Sequence, residues 1–568
     1  MSHIKKSILN NELDRLRKES EERVAERRAL HGEMRYLNLH TIPVQVEALG
    51  LISEVDARKG RLAVIEKKER KNNEKEVAIV VFDPKDVYAL GIIEALKAMG
   101  FSVQLFTGSL SGLERVWGFY QFVSGSSRPI TGRVSIDEGK GNTFKDWMRE
   151  LINLQSVKNA LHNTPQAQEA LEALFVGALL NGASDIHIEP TLKAVLVRYR
   201  IDGVLYVVGD DYGRDFYSML VTRIKLLSKV KLNVKNESQD GRFSISVGSR
   251  DIEVRVSVIP AEFGEMVVMR VLDPLSIQVE IDALGLRADD LVIIRRSLAL
   301  PNGMIINTGP TGSGKTTSLY AFLRHIANPQ TKVVTIEDPI EYRLEWVEQT
   351  QIDKNSNYTF ANGLRAILRQ DPDVILVGEI RDEETADVAI QSSLTGHLVF
   401  STLHTNEAAG AIPRLINLGI SPAVIGSALN LIIAQRLLRK LCEYCREEKK
   451  IDASLAASIE AFIKKMPDRV DKAQYKIHHI YDVRSNGCEK CGGLGYKGRI
   501  AVFELLEISK KLHELIENKA SIVAFRDAAE KEGMVSLQAD GILKVLSGIT
   551  TFEEVEKVTG PLNLLKTV

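Results

Sequence analysis

Apolar and polar positions follow two periods along this chain, and the switches between them mark out its elements. "VAIVVFDP" is a continuous apolar run of strand length closed by a turn signal. "DVYALGIIEALKAMG" carries apolar residues at helical spacing and stops at Gly100, and "SVQLFTG" reads as a further strand. Residues 36–123 are therefore expected to form a small α/β domain. Before it, residues 1–35 mix Lys, Arg, Glu and Asp around sparse Leu and Val, the pattern of a charged exposed helix or tail. After it, Ser124 to Asn142 is rich in Gly and Ser without periodicity, which predicts a linker over 124–154. A helical stretch at "ALEALFVGALLNGA" leads into "SDIHIEP", "AVLVRYRIDGVLY" and "DIEVRVSVIP", whose alternation predicts an α+β domain over 155–290. Residues 291–440 alternate buried strands with helices, as a parallel sheet requires. Two cysteine pairs bracket 441–500, and 501–568, from "LLEISKKLHELIENKA" onward, reads as mostly helical. The expected fold class is α/β.

Within the parallel region, "GPTGSGKTT" matches the phosphate-loop pattern Gly-x4-Gly-Lys-Thr: Gly309, Pro310, Thr311, Gly312, Ser313, Gly314, Lys315, Thr316 and Thr317. Its context makes it specific. "GMIINT" supplies an apolar strand before it, and Leu319, Phe322, Leu323 and Ile326 follow at helical spacing. The glycines let backbone N–H groups curl round phosphates, and the helix N-terminus adds positive potential. Lys315 is expected to reach the β- and γ-phosphates of ATP, and the Thr316 hydroxyl to bind Mg²⁺.

Three later strands end in polar residues, and carboxyl ends of parallel strands face the ligand crevice. "KVVTIEDPIE" ends in Glu337, Asp338 and Glu341; "DVILVGE" ends in Glu379; "TGHLVFSTLH" carries His397 and His404. Acids there can hold Mg²⁺ or orient an attacking water, or they can cap the next helix. The histidines lie seven apart, an odd number, so an unbroken strand aims them at opposite faces and a shared metal is not expected. They are either strand-end packing residues or hydrogen-bond partners near the γ-phosphate. Arg255 sits in "DIEVRVSVIP", and the apolar run "EMVVMRVL" is expected to bury Arg270; such guanidinium groups need anionic partners, either carboxylate or phosphate. Arg365 and Arg369 sit four apart on one helix face.

All four cysteines fall in two C-x-x-C knuckles, Cys442/Cys445 and Cys488/Cys491. Two close thiolate pairs suit a closed tetrahedral structural Zn²⁺ site, and the long gap must hold structure of its own, with "ASLAASIEAFIKKM" helical. No thioredoxin-like strand–helix context supports a redox reading.

Composition narrows the functions. The 568 residues suggest about four domains at roughly 150 each. The net charge of −1 provides no basic field for nucleic acid. No apolar run approaches the ~20 residues of a membrane helix, and the N-terminus lacks a signal-peptide core, so a cytosolic location is expected.

The chain from about residue 160 to near its end resembles the secretion and pilus-assembly ATPases of type II secretion and type IV pilus systems. The resemblance rests on "ASDIHIEP", "VRYRIDG", "QDGR", "GEMVVMRVL", "GPTGSGKTT", "TIEDPIE", "LRQDPDVILVGEIRD", "TGHLVFSTLHTN", "QRLLRKLC" and "GCEKCGGLGYKGR". It implies a RecA-like ATPase domain preceded by a nucleotide-capping domain. It further implies that Glu341 and Glu379 are catalytic carboxylates, that His397 and His404 form a histidine box, and that Arg255 and Arg270 face phosphate. Such proteins are homohexamers that bind ATP/ADP beneath the inner membrane. They act on an inner-membrane platform protein, with docking proteins holding them peripherally at the membrane. The cysteine knuckles and long N-terminal region point to the extension branch, first to type IV pilus assembly and alternatively to type II secretion. A RecA-like nucleic-acid translocase is the reading from another class, and no nucleic-acid partner is expected.

Overall fold

A computed structural model of the chain describes residues 20–30, 34–42, 44–69, 75–122, 133–136, 151, 153–164, 166–247, 250–274, 279–353, 356–475 and 479–562. Near the N-terminus a four-stranded sheet runs Arg35–Tyr36, Phe101–Thr107, Lys75–Val81, Leu62–Glu69, the first three parallel and the last antiparallel. The expected helix is Val87–Ala98; the Asp86 carboxylate accepts from the N–H groups of Tyr88 and Ala89, and so caps it. The charged segment is not a free tail where it is described. Residues 20–30 are helical, bury Ala25 and Ala29, and set Arg28 over the Phe82 ring at 4.1 Å.

The second sheet has seven strands, in the order Arg133–Ile136, Gln239–Val247, Arg250–Ala261, Gly264–Leu272, Ala183–Pro190, Val195–Ile201, Val204–Tyr212. Strict alternation puts Ile252, Val254, Val256 and Val258 in the core and their neighbours on the other face. Buried residues of the helices Leu154–Asn163, Ala167–Leu180 and Arg214–Leu227 join that core. Residues 133–136 correct the linker reading: they pair in parallel with Gln239–Val247 as an edge strand. The rest of the Gly/Ser-rich stretch lies outside the described residues.

The third sheet runs Val347–Gln351, Val333–Glu337, Val374–Val377, Leu398–Leu403, Gly303–Thr308, Leu429–Leu441, Tyr496–Glu507. All neighbours are parallel except the last pair. Gly303–Thr308, Val374–Val377 and Leu398–Leu403 are buried at every position, which explains their unbroken apolar runs. The expected boundary at 440 falls inside a strand. Leu429–Leu441 pairs with Tyr496–Glu507 across the whole cysteine excursion, so the sheet takes in residues assigned from sequence to two later regions. Within the excursion Ala453–Lys465 is helical as expected, beside the hairpin of Glu447–Lys450 and His479–Asp482. Four further helices, Lys510–Glu517, Ile522–Lys531, Leu537–Leu546 and Phe552–Thr559, contribute to the core of the third sheet. Among the described residues no helix is long and apolar enough to cross a membrane.

Candidate nucleotide site and cysteine centre

The phosphate loop turns between the buried strand Gly303–Thr308 and the helix Lys315–Ile326. Gly314 takes φ +88°, and a Cβ there would stand 2.8 Å from the Gln435 amide; one on Gly309 would stand 2.6 Å from the Gln435 carbonyl oxygen. Only glycine allows this approach. Lys315 is buried, and its ammonium donates to the carbonyls of Gly309 at 2.7 Å and Pro310 at 3.2 Å. Burial, reinforced by the Arg436 charge, pulls its pKa down to about 8.

A cavity of about 480 Å³ opens on this loop. Residues 311–317 form one wall, and Glu337, Asp338, Glu341, Glu379 and His404 stand around it. Each acid arrives from the carboxyl end of a parallel strand. Glu379 follows the buried Val374–Val377 through Gly378; its carboxylate meets Arg381 at 2.6 Å and the His404 ring at 3.6 Å. Glu341 accepts from Arg255 at 3.0 Å. Glu337 is buried and accepts hydrogen bonds from the Tyr320 and Thr335 hydroxyls, and burial pushes its pKa up.

His397 is not brought to this cavity. It precedes the strand Leu398–Leu403, and its Nδ1 lies 3.0 Å from the Ser392 carbonyl oxygen, whereas His404 follows that strand at the cavity end. Two residues flanking one strand cannot share one end of it, whatever their spacing.

The burial expected of Arg270 needs correction. Arg270 lies in an apolar run but is not buried: alternation turns it outward, and its side chain is 60% exposed. It borders the cavity and donates to Asp185 at 2.9 Å. Arg255 stands directly opposite it in the strand register, and the row extends to Arg242 on one side and to Asp185 and Arg200 on the other. Four guanidinium groups share a face with Asp185 as the row's carboxylate, so this row of the second sheet attracts anions. Arg365 pairs with Glu384 at 2.6 Å and Arg369 donates to the Arg365 carbonyl; neither borders the cavity.

Arg381 and Arg499 border the cavity although neither was singled out from sequence. Arg381 sits two residues after Glu379, a proximity that could have found it. Arg499 reaches the site only because its strand pairs across the cysteine excursion, which local spacing does not reveal.

The four cysteines converge, with all ligand atoms within 4.8 Å of one another. Sγ–Sγ separations are 3.8 Å for Cys442/Cys488 and 3.9 Å for Cys445/Cys491. A tetrahedral ion with ~2.3 Å metal–sulfur bonds requires ~3.8 Å between sulfurs, so the donor set fits zinc; a disulfide would need ~2.05 Å. Burial alone would raise the Cys491 thiol, but N–H donors from Cys488 and Gly495 hold it at about 7.

Residues 161–557 match the family described as Type II/IV secretion system protein. The type II secretion system protein E of Dickeya dadantii is 40% identical over 485 residues, covering 85% of this chain and 93% of its own. The type IV pilus assembly ATPase PilB of Myxococcus xanthus is 36% identical over 485 residues, 85% of this chain and 82% of its own. The crystal structure of the ATPase DotB from Yersinia pseudotuberculosis overlays with a TM-score of 0.50 at 19% identity, over 69% of this chain and 93% of that one, a likeness of fold. A match of this extent, to relatives of this identity, means that the chain belongs to the type II/IV secretion ATPase family and is an ATP-hydrolysing enzyme.

Proposed function

We propose that the chain is a homohexameric motor, peripheral to the inner face of the cytoplasmic membrane, that hydrolyses ATP to drive assembly of a pilin-like fibre through an inner-membrane platform protein. One observation carries this reading: Arg270 of the second sheet, the phosphate loop and Glu379 border a single cavity. A capping domain that contributes a cation to the nucleotide cavity can move when the nucleotide changes. In this reading Lys315 grips the β- and γ-phosphates and the loop N–H groups cradle them. Thr316 and Glu379 border the same cavity and would hold Mg²⁺, which when bound neutralises phosphate charge. Glu341 orients the attacking water and is steadied from the cap by Arg255. His404 senses the γ-phosphate through Glu379. His397, at the far end of its strand, is given no role there. The four cysteines hold one structural Zn²⁺, and residues 36–123 dock a partner at the membrane.

The sequence pointed first to the type IV pilus. The Dickeya relative at 40% identity against the Myxococcus relative at 36% supports type II secretion at least as well, and we adopt it as the leading reading. The test is a chromosomal Lys315→Ala strain. Loss of exoprotein release with surface pili intact supports type II secretion; the converse supports pilus assembly. If both persist while the purified variant hydrolyses no ATP, the motor reading is wrong.

A further inference from the structure

The phosphate-loop helix carries a buried hydroxyl that the reading above leaves unused. Tyr320 stands five residues after Lys315 and is fully buried. Its hydroxyl donates to Glu337, which closes the strand Val333–Glu337. The other Glu337 oxygen accepts from Thr335 at 2.6 Å and from the Gln349 amide at 3.2 Å. That amide also lies 3.4 Å from the Tyr320 oxygen and donates to the Tyr342 carbonyl at 3.0 Å. The Gln349 side-chain oxygen accepts the Leu344 N–H at 2.8 Å, and the Glu341 N–H points at the Tyr320 oxygen at 3.5 Å. The Tyr342 ring meets the Tyr320 ring edge-on, centroids 4.6 Å apart.

The segment between Val333–Glu337 and Val347–Gln351 is thus tied at three points, 341, 342 and 344, to one hub of Tyr320, Glu337 and Gln349. We propose that Tyr320 is a positioning residue, strapping the Glu341-bearing segment to the phosphate-loop helix so that the helix that grips phosphate also sets Glu341. The inference rests on Glu341 being the carboxylate that orients water. A core tyrosine serving only to fill space would need no such ties. Its proton is well placed to stay on the phenol, since burial and the neighbouring Glu337 both push its ionisation upward. A buried hub of this kind is costly to leave half-satisfied, so losing one hydroxyl loosens the whole strap. Small displacements of a reacting group carry large rate penalties.

Tyr320→Phe keeps the ring and removes the hydroxyl. It should lower kcat about tenfold or more while KM and the Kd of a fluorescent ATP analogue shift less than about twofold. Gln349→Ala, at a partly exposed strand position, breaks the same strap from outside the core and should split kcat from KM the same way. Both are measured beside Glu341→Gln, and Tyr320→Phe added to Glu341→Gln should cost nothing further. A slow Glu341→Gln with a normal Tyr320→Phe overturns the strap alone. A silent Glu341→Gln overturns the Glu341 assignment and the strap with it. Parallel loss of kcat and nucleotide affinity, or additive losses in the double variant, would make Tyr320 merely structural and also overturn the proposal.

Discussion

Lys315 occupies a place that opposes its own charge, and this has a measurable consequence. Burial and Arg436 bring its pKa to about 8 before nucleotide arrives. Bound phosphate favours the ammonium and raises that pKa, so binding takes up a proton at alkaline pH. ATP affinity should therefore be complete below pH ~7. It should fall as pH rises past ~8, by up to about tenfold per unit, until the pKa of the complex is passed. KM measured from pH 7 to 10 checks this, and a flat profile contradicts it. Glu379 makes the complementary case. It ends a buried strand and touches Arg381 and His404, so its charge should serve the reaction more than the grip on nucleotide. Glu379→Gln should bind ATP nearly as the parent does while hydrolysing it at least about tenfold more slowly, roughly 1.4 kcal/mol of barrier. Unchanged turnover would remove Glu379 from the site. At this scale the sequence was most informative where a short contiguous motif carries both residue and context, as for Lys315, Thr316 and Glu379. It misled for Arg270, whose apolar neighbours concealed that a strand turns every second side chain outward.

The central sheet shows how far periodicity reaches at the scale of elements. Gly303–Thr308, Val374–Val377 and Leu398–Leu403 were legible because burial on both faces leaves an unbroken apolar run. The closing pair, Leu429–Leu441 with Tyr496–Glu507, was not, because strand pairing across a long excursion leaves no local trace. The same pairing explains the cysteine centre. Cys442 directly follows one strand and Cys491 shortly precedes the other, so the antiparallel pair brings the knuckles together. The four sulfurs are placed so that a bound ion would link the two ends of the excursion. Cys442→Ser should lower the zinc content from one per chain to well below one and reduce Tm by several degrees. Elemental analysis and thermal unfolding on the same preparation decide this; full zinc content with an unchanged Tm would contradict a structural centre.

Across the whole molecule, the polar contacts between the second and third sheets among the described residues include one ion pair from the cap to an acid at the cavity. Arg255 meets Glu341 at 3.0 Å, Arg439 donates to Tyr206 at 3.0 Å, and Asp202 accepts the Gly498 N–H at 2.8 Å. On the other side of the cap, Arg115 donates to the carbonyls of His40 and Asn233, which seats the N-terminal sheet on it. The Arg255–Glu341 pair is partly exposed and worth ~0–1 kcal/mol, too little to lock the cap shut. Arg270, the member of the cationic row that borders the cavity, is therefore free to answer to the nucleotide, because a γ-phosphate would give its guanidinium a further charge-assisted partner beside Asp185. In a hexamer, closure of one cap would pass to its neighbours through shared interfaces. The most direct test is the distance between labels at positions 192 on the cap and 394 on the ATPase domain, both exposed, with labelled subunits diluted into unlabelled ones. A non-hydrolysable ATP analogue should shorten that distance relative to ADP. Arg270→Ala should abolish the difference, and Arg270→Lys should restore it only in part, because a point charge cannot reproduce the guanidinium fork. An Arg270→Ala protein that closes on the analogue as fully as the parent would contradict the account.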